Sequence, residues 1–488
     1  MEKNIYKIVW VFLFSGVLFS CKKDFLQIVP KGALIPTTTS DYNLLMNSSK
    51  FYQYTNGLPT LLLGDDIVAE ESEFNYHITN ATASAQQLFE YGGVFYQIGD
   101  APWEIQNYTQ NIYVCNKVIA EVMNSTEGTD AQKKSLLAEA RATRAWANFQ
   151  LINFYGKPYL ASTAGTDLGF PIVETADVSQ KTFSRGTVQG MYDFIIKDLT
   201  TAIPDLPVQS AIQTRMSRTA AEGILGKVYL FMGKSTEALA QFNAAFTDLA
   251  SSSTPAVLYD YNVTLAPGGS FLPVGFFGPN YPGNNPVDMT ESILAKTCNA
   301  GDWDGLGFGN TGLELSPETL ALFSSSDLRL QLYANYFEDG SPIPGGRIRK
   351  YAVQYAWIGF QLSDLYLLRA EARARTNDLS GAKTDVEYLR SHRMPSADAA
   401  VPSATAGDQT ALIKFIIQER QREFAQEGDR WYDMRRLSVD PIFAGATYNH
   451  TLYTVSGGTQ TFPMPAARMV MQLPPSIMAA NPNFVNNQ

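Results

Sequence analysis

Acidic and basic side chains crowd into one stretch near the C-terminal end of the chain, IIQERQREFAQEGDRWYDMRR, residues 416–436. It holds five acids and five arginines in 21 residues. Paired carboxylates beside arginines could form an acid/base site, in which one carboxyl keeps its proton while the other is ionised. The same residue types could also form a network of salt bridges that does no chemistry. The spacing of the neighbouring apolar residues helps to decide between the two.

One face of the helix predicted for this stretch is apolar except for a single arginine. Its residues follow spacings of four, three and four, the period of an α-helix: Ile413, Ile417, Arg420 and Phe424. Arg420 therefore points towards the packed side, where a guanidinium without a carboxylate partner is costly. We expect that partner on a neighbouring helix, and Glu371 and Glu139 are the candidates.

The residues after this helix predict a second one. Gly428 can end the first helix, Asp429 can cap the next, and Trp431 then packs into the core. We therefore interpret the stretch as structural, a charge network that docks the C-terminal helices on the rest of the molecule. The residues assigned to this network are Arg420, Glu423, Arg430 and Asp433.

Other kinds of catalytic or metal site have little support. The three histidines, His77, His392 and His450, lack ligand spacing to a cysteine or to one another, so a zinc site is not predicted. The chain has no nucleophile elbow or P-loop, and no glycine fingerprint between a predicted strand and a helix. The acidic segment 64–74, GDDIVAEESEF, would allow a structural calcium ion but favours a solvated acidic loop. We predict no catalytic residue and no cofactor.

Aromatic residues in glycine- and proline-rich segments are the candidates for ligand binding. Sugars present apolar C–H faces ringed by hydroxyl groups, which proteins meet with flat aromatic rings and polar side chains. Each ring could instead pack a loop onto a helix, but we expect at least two to line a binding face. The predicted ligand-binding residues are Trp303, Asp302, Asp304, Phe276, Tyr281, Tyr76, Tyr91 and Tyr96. The tryptophans at 103, 146 and 431 are assigned to the core.

The overall composition and the first residues limit the class of protein. The 488 residues are 45% hydrophobic with a net charge of −10, which allows a large core and argues against nucleic acid as a partner. Residues 1–20 have a short basic head and an apolar run, so they are predicted to be a signal peptide. The run ends at LFSC, which resembles a bacterial lipobox, so Cys21 is predicted to be acylated and to anchor the chain. Ordinary secretion is the alternative.

Composition changes along the chain predict its organisation. The two remaining cysteines, Cys115 and Cys298, are expected to be free, although one bridge between them would be compatible with the sequence. The predicted segments are a signal peptide (1–20), an extended tether (21–40), a helical region (41–250), a loop-rich aromatic insertion (251–355), a further helical repeat with the charged helix (356–437) and a loop-rich C-terminal segment (438–488).

Two segments predict paired helices of the tetratricopeptide type. The first, LGKVYLFMGKSTEALAQFNAA (225–245), fits every spacing of that pattern, with Gly233 at the turn and Ser235 placed to cap the second helix. The second, YLLRAEARARTNDLSGAKTDVEYL (366–389), fits more loosely, because Arg373 stands where tyrosine is expected.

Two further helix pairs are expected around 103–156 and 187–203. The predicted fold is mostly α, with about four tetratricopeptide-like helix pairs packed against an irregular, loop-rich half that holds a few short strands.

Six blocks of sequence in this order resemble the SusD/RagB family, surface lipoproteins of Bacteroidetes that bind nutrients. The blocks are the lipobox with CKKDFL, EARATRAWANFQLINFYGKPYL, LSPETLALFSSSDLR, LSDLYLLRAEARAR, ERQREFAQEGDRWYDMRRL and FPMPAARMVMQLPPSIMAANPNF. One departure is that the asparagine that often precedes the C-terminal ending is replaced by Gln472 or lost.

The resemblance implies capture of an oligosaccharide, or in some members a peptide, without turnover, and a lid-like partnership with a SusC-like TonB-dependent transporter. We therefore expect a non-enzymatic glycan-binding protein on the cell surface at the outer membrane, in contact with the membrane through its lipid anchor only. The alternatives are a peptide- or glycopeptide-binding member of the family, a glycoside hydrolase that uses two of the acids, and a tetratricopeptide scaffold that binds only protein.

Overall fold

The computed structural model describes residues 35–54, 58–79, 83–100, 102–180, 182–276, 278–299, 309–351 and 355–487. Its helices are α1 (Thr39–Met46), α2 (Glu71–Phe74), α3 (Ala83–Phe89), α4 (Trp103–Glu121), α5 (Asp130–Tyr155), α6 (Val188–Ala202), α7 (Arg218–Phe231), α8 (Ser235–Ser251), α9 (Tyr261–Thr264), α10 (Pro317–Leu320), α11 (Leu362–Arg375), α12 (Leu379–Ser391), α13 (Ser403–Ala406), α14 (Gln409–Glu423), α15 (Arg430–Leu437) and α16 (Pro475–Ala480). Its strands are β1 (Gln53–Tyr54), β2 (Ile67–Glu70), β3 (Ser292–Leu294), β4 (Thr297–Asn299), β5 (Glu314–Leu315), β6 (Tyr333–Ala334), β7 (Arg349–Lys350), β8 (Tyr355–Trp357), β9 (Phe360–Gln361), β10 (Asn449–Tyr453) and β11 (Thr459–Pro463).

The long helices form a continuous layer in which each packs against the next. Helix α4 lies against α5, α5 against α6, α7 against α8, α8 against α11, and α11 against both α12 and α14. The prediction of a mostly α fold with paired helices against a loop-rich half is confirmed. Within the described residues, no helix combines the length and the apolar character needed to cross a bilayer.

The best tetratricopeptide match forms the helix pair α7 and α8. Gly233 takes a φ of +74° at the turn, a conformation that glycine adopts without a steric penalty. Gly226 lies so close to the ring of Phe242 that a Cβ there would collide with it, so the glycine sets the distance between the helices. The predicted cap at Ser235 is wrong: Lys234 occupies the N-cap position and makes no side-chain cap, and Ser235 is already helical.

The looser match forms α11 and α12 and shows what Arg373 does in place of tyrosine. Its Nη1 donates to the Gly381 carbonyl at 3.0 Å and to Asp385 Oδ2 at 2.9 Å, so hydrogen bonds replace ring packing between the helices. The expected pair at 103–156 is present as α4 and α5. The region 187–203 holds one helix, α6, because so short a segment cannot contain two helices and a turn.

Four small sheets organise the loop-rich half, in the orders β1-β4-β8, β11-β10-β2-β5, β3-β9 and β6-β7. In the largest sheet, β2 pairs with β10 in parallel and with β5 in the antiparallel sense. Segments that are hundreds of residues apart in sequence therefore meet in one layer. The aromatic segment 251–355 also holds the single-turn helices α9 and α10, which its many glycines and prolines had argued against.

The charged stretch docks α14 and α15, as the sequence predicts, but through different partners. Arg420 Nε donates to Asp433 Oδ2 at 2.8 Å and Arg420 Nη1 to Asp364 Oδ1 at 2.5 Å. Neither expected partner contacts it, because Glu371 lies two turns further along α11 and binds Arg436, while Glu139 binds Arg215. The carboxylate that faces Arg420 comes instead from the first turn of α11.

The other members of the network join the helices to the loop-rich half. Glu423 accepts hydrogen bonds from Arg329 at 2.9 Å and from Arg393 at 2.8 Å. Arg430 Nε donates to Asp65 Oδ1 at 2.5 Å. In these contacts the side chains of the stretch join α14 and α15 to the rest of the molecule.

The turn between α14 and α15 differs in detail from the prediction. Helix α14 ends at Glu423, several residues before Gly428, which takes a φ of +92° within the turn. Asp429 is the N-cap residue of α15, but its side chain makes no capping hydrogen bond. Trp431, Trp146 and Trp103 are buried as predicted, and Cys115 and Cys298 are buried as well.

Candidate ligand-binding face

Exposed aromatic rings concentrate in the loop-rich half. Among the described residues, the well-exposed tyrosine and phenylalanine side chains are Tyr76, Tyr113, Phe276, Tyr336 and Tyr388. Three of them lie in loops or turns: Tyr76 is 67% exposed, Phe276 68% and Tyr336 38%. Because a large apolar ring gains nothing from water, such a group is a candidate binding surface.

Tyr76 lies on a π-helical turn, Asn75–Thr79, that continues from α2. Phe74 anchors this segment, since its buried ring packs 4.5 Å from that of Phe89. Two residues later Tyr76 faces outwards, with its ring set edge-on against His77 at 4.8 Å. His77 Nε2 lies 3.3 Å from Thr311 Oγ1, so the segment Gly309–Gly312 packs behind Tyr76.

Phe276 lies on a tight turn whose ends are Gly275 and Gly278. The two glycines exchange backbone hydrogen bonds, each 3.0 Å long. Gly278 has a φ of +99° and lies against Tyr351 so closely that an added Cβ would collide with that side chain. The close approach of Gly278 therefore fixes the turn that carries Phe276 against Tyr351.

Tyr336 completes the group and is braced from behind. Its hydroxyl lies 3.1 Å from that of Tyr351, and the two rings meet edge to face at 6.4 Å. The carbonyl of Tyr336 accepts a hydrogen bond from Arg349 Nε at 2.9 Å. Tyr351 thus contacts both Tyr336 and the turn that carries Phe276. We call Tyr76, Phe276 and Tyr336 the aromatic face.

Glu73 and Arg349 connect the two parts of the aromatic face electrostatically. Glu73 lies on the turn that carries Tyr76, 3.7 Å from His77. Burial lowers the pKa of Arg349, and the negative charges of Glu338 and Glu73 act against that shift. Glu73 precedes Tyr76 by three residues and Glu338 follows Tyr336 by two, so both ring-bearing segments act electrostatically on Arg349.

Three of the predicted ligand-binding tyrosines lie in the core, so the prediction that they line an exposed face is wrong. Tyr91 stacks on His450 at 4.4 Å, and its hydroxyl lies 3.0 Å from His450 Nε2. The Tyr96 hydroxyl donates to the buried Glu104 at 2.7 Å. Tyr281 is 4% exposed and packs with the buried aromatic residues of the insertion. Packing of loop onto core accounts for all three rings.

Trp303, Asp302 and Asp304 lie outside the described residues, as does Cys21. The nearest described residues on either side of Trp303 are Asn299 and Gly309. On one side Asn299 ends β4, where it pairs with Tyr355 of β8. On the other side Gly309–Gly312 packs against the turn of Tyr76. The described residues on either side, Asn299 and Gly309, therefore both lie in the loop-rich half.

The acidic segment 64–74 is not the solvated loop that the sequence favours. It forms β2 and α2, and its carboxylates have protein partners: Asp65 binds Arg430, Asp66 accepts from the Gln426 amide at 2.7 Å, and Glu70 binds Arg347. In the described part of the chain, no group of three or more histidine, cysteine or acidic side chains is arranged to hold a metal ion.

Several carboxylates of the charge network, including Glu371 on α11, are kept ionised by arginine partners, whereas burial raises the pKa of Asp429 to about 7. Burial alone would raise the pKa of Glu371, but Arg436 and Arg375 outweigh it and lower that pKa to about 2. The pKa values of Glu419 and Asp433 are lowered in the same way by their arginine partners. The cavity beside Glu423 and Glu427 has a volume of about 60 Å³, room for a few water molecules but not for a sugar.

Two family models match this chain at its two ends. Residues 24–230 match a SusD-like model described as "Starch-binding associating with outer membrane", and residues 341–488 match the model of the SusD family. A SusD-like protein of Bacteroides ovatus is 24% identical over 479 residues, which covers 86% of this chain and 80% of that protein.

Solved structures show the same fold. A putative sugar binding protein from Bacteroides vulgatus superimposes with a TM-score of 0.65 at 19% identity and covers 93% of this chain and 99% of its own. A laminarin binding SusD-like protein superimposes with a TM-score of 0.59 at 17% identity, covering 92% and 99%. The family models, the relatives and the shared fold agree, and the chain belongs to the SusD/RagB family.

Proposed function

We propose that this chain is a non-enzymatic saccharide-binding protein that holds an oligosaccharide on its aromatic face and passes it to a TonB-dependent transporter in the outer membrane. The observation that carries the proposal is the group of exposed rings, Tyr76, Phe276 and Tyr336, on a supported part of the loop-rich half. The family to which the chain belongs supports the same assignment, since its model is described as starch-binding.

The geometry of the aromatic face suits reversible capture. A sugar ring that covers about 40 Å² of one aromatic ring gains roughly 1 kcal/mol from the apolar area removed from water. Three rings therefore supply only a few kcal/mol before the cost of association, which gives weak binding with fast release. A protein that passes its ligand to a transporter must bind the ligand weakly enough to release it quickly.

The remaining parts of the proposal rest on the sequence. Trp303, flanked by Asp302 and Asp304, is proposed to extend the aromatic face, because the described residues that follow its segment pack against the turn of Tyr76. Cys21 is proposed to carry the lipid anchor, which would hold the aromatic face near the transporter. The membrane itself then contributes only through the acyl chains.

Binding and turnover should be measured on the same samples. We expect the purified protein to retard in affinity electrophoresis through gels that contain at least one polysaccharide of a panel of plant, algal and microbial glycans. Long incubation with the same glycan should release no new reducing ends. Binding to peptides but to no glycan would favour the peptide-binding alternative, and release of reducing ends would show a hydrolase.

A further inference from the structure

Arg349 is a buried cation with few partners. The residue is 2% exposed, and its Nε donates to the Tyr336 carbonyl at 2.9 Å. Among the described residues, its guanidinium makes no other hydrogen bond and has no carboxylate oxygen within 4.0 Å. Burying a guanidinium without a paired anion is unfavourable by several kcal/mol, so this arrangement calls for an explanation.

Other buried or half-buried arginines in the described chain bind carboxylates or carbonyls through at least one terminal nitrogen. Arg420 binds two carboxylates, and Arg329 binds three. Arg435 has no carboxylate, but its terminal nitrogens donate to the carbonyls of Gly156 and Met469. Arg185 likewise donates to four carbonyls. Arg349 differs from these residues because the four N–H groups on its two terminal nitrogens have no acceptor among the described residues.

Successive side chains of strand β7 point to opposite faces of the strand, and this separates Arg349 from the hydrogen bonds that Lys350 makes. Lys350 points to the opposite face, where it donates to the Ala425 carbonyl and to Glu427. Arg347, two residues away on the same side as Arg349, is occupied by Glu70 and Glu314. Among the described residues, Arg349 is the one of these three cations with no acceptor at either terminal nitrogen, and its Nε binds the backbone carbonyl of Tyr336.

We propose that Arg349 binds an anionic group, a carboxylate or a sulfate, of a saccharide held on the aromatic face. This inference rests on the proposed function, and it narrows the ligand to acidic glycans. The planar fork of a guanidinium matches two oxygens of such a group and can bind both at once. The sugar ring that bears the group would lie against Tyr336 or Phe276, since Tyr351 contacts both Tyr336 and the turn that carries Phe276.

The charge of the protein makes such a contact selective. The chain has a net charge of −10, and Glu73 and Glu338 lie near Arg349, so an anion elsewhere on this surface is repelled. Only an anionic group placed at Arg349 itself gains from the interaction. The preference should therefore depend on the position of the acidic group along the ligand as well as on its charge.

The test compares matched acidic and neutral ligands by isothermal titration calorimetry. The probes are oligogalacturonides with their carboxyl-reduced forms, and carrageenan oligosaccharides with their desulfated forms; an oligoglutamate peptide completes the set. We expect one acidic probe to bind the unmodified protein at least about tenfold more tightly than its neutral form, since a hydrogen bond to a charged group contributes that much. That preference should decrease with salt.

Substitutions then assign the preference to Arg349. Arg349→Met should remove it and leave neutral binding within about twofold, and Arg349→Lys should retain part of it because the charge stays but the fork is lost. Arg141→Met, on the helical half, should change neither affinity. A melting temperature for each variant establishes folding. If Arg349→Met does not fold, the lysine variant and the salt dependence of the unmodified protein decide.

The outcomes separate this inference from the proposed function. Equal affinity for acidic and neutral probes, or a preference that survives in Arg349→Met, overturns the role of Arg349 and leaves saccharide binding intact. Binding of none of the saccharides would contradict the proposed function as well. Binding of the oligoglutamate alone, dependent on Arg349, would assign the site to acidic peptides and overturn the saccharide class.

Discussion

The hydroxyl groups of Tyr336 and Tyr351 lie 3.1 Å apart, so one of them donates a hydrogen bond to the other. Tyr351 is mostly buried and also supports the turn that carries Phe276. One internal side chain therefore contacts Tyr336 and also the turn that carries Phe276. This shared contact is what makes the aromatic face a defined surface rather than two independent loop tips.

Removal of a ring from the aromatic face should weaken glycan binding without unfolding the protein. Phe276→Ala and Tyr336→Ala are each expected to reduce affinity about fivefold, because roughly 1 kcal/mol of apolar contact is lost per ring. Calorimetric titration with the best ligand of the panel measures the effect. Tyr388→Ala, which removes a ring that is 46% exposed on the helical half, is the matched control and should bind normally.

The close approach of Gly278 to Tyr351 predicts a second effect on binding. Gly278→Ala should displace the turn of Phe276, because its Cβ has no room beside Tyr351. Gly340→Ala is the control: its φ of +84° is similarly strained, but a Cβ there meets no neighbouring atom. Both variants should lose about 1 kcal/mol of stability, whereas only Gly278→Ala should weaken binding. Equal binding by the two variants would show that the turn does not position Phe276.

The ion pair between Arg420 and Asp433 should contribute strongly to stability. Asp433→Asn leaves Arg420 and Arg436 buried with one carboxylate fewer, and we expect a loss of about 3–5 kcal/mol in the free energy of unfolding. Denaturant titration measures it. The control is Glu387→Gln, since the pair of Glu387 with Lys383 is largely solvated and should be worth less than about 1 kcal/mol.

The lowered pKa of Glu371 predicts a stability that depends on pH. The pKa is about 2 in the folded protein, against an ordinary value of 4.5. The ionised form is therefore favoured by folding, so its contribution of about 3 kcal/mol is present above pH 4.5 and is lost as the pH falls towards 2. Unfolding free energies measured across that range should fall less steeply for Glu371→Gln. If the unfolding free energies of the two proteins changed equally with pH, the pKa of Glu371 would not be lowered in the folded protein.

The helical half could be predicted from sequence because its signals are local. Spacing of small and aromatic residues within 225–245 predicts two helices with a turn at Gly233. The structure adds the tight contact of Gly226 with Phe242. Partners across helices are not local, and this is why Glu371 and Glu139 were expected to bind Arg420 in place of Asp364. The sequence shows that a buried arginine needs an acid, but not which acid faces it.

The binding face could be predicted only in part, because exposure depends on residues distant in the chain. Tyr91 is buried by His450, which lies 359 positions away, and no local pattern signals that contact. Tyr76 and Phe276 remain exposed, and Tyr336 was missed. A usable signal existed: Tyr336 stands just before FEDGSP, a turn rich in polar residues between two short strands. No sequence pattern indicates a binding role for Arg349, because only the folded structure shows that no described carboxylate pairs with it.

A crystal structure of the protein soaked with its best oligosaccharide ligand tests the central claim most directly. The account predicts sugar rings stacked on at least two of Tyr76, Phe276 and Tyr336, with any acidic group at the terminal nitrogens of Arg349. A ligand found instead in the groove between Pro158 and Met464, with the aromatic face bare, would contradict it.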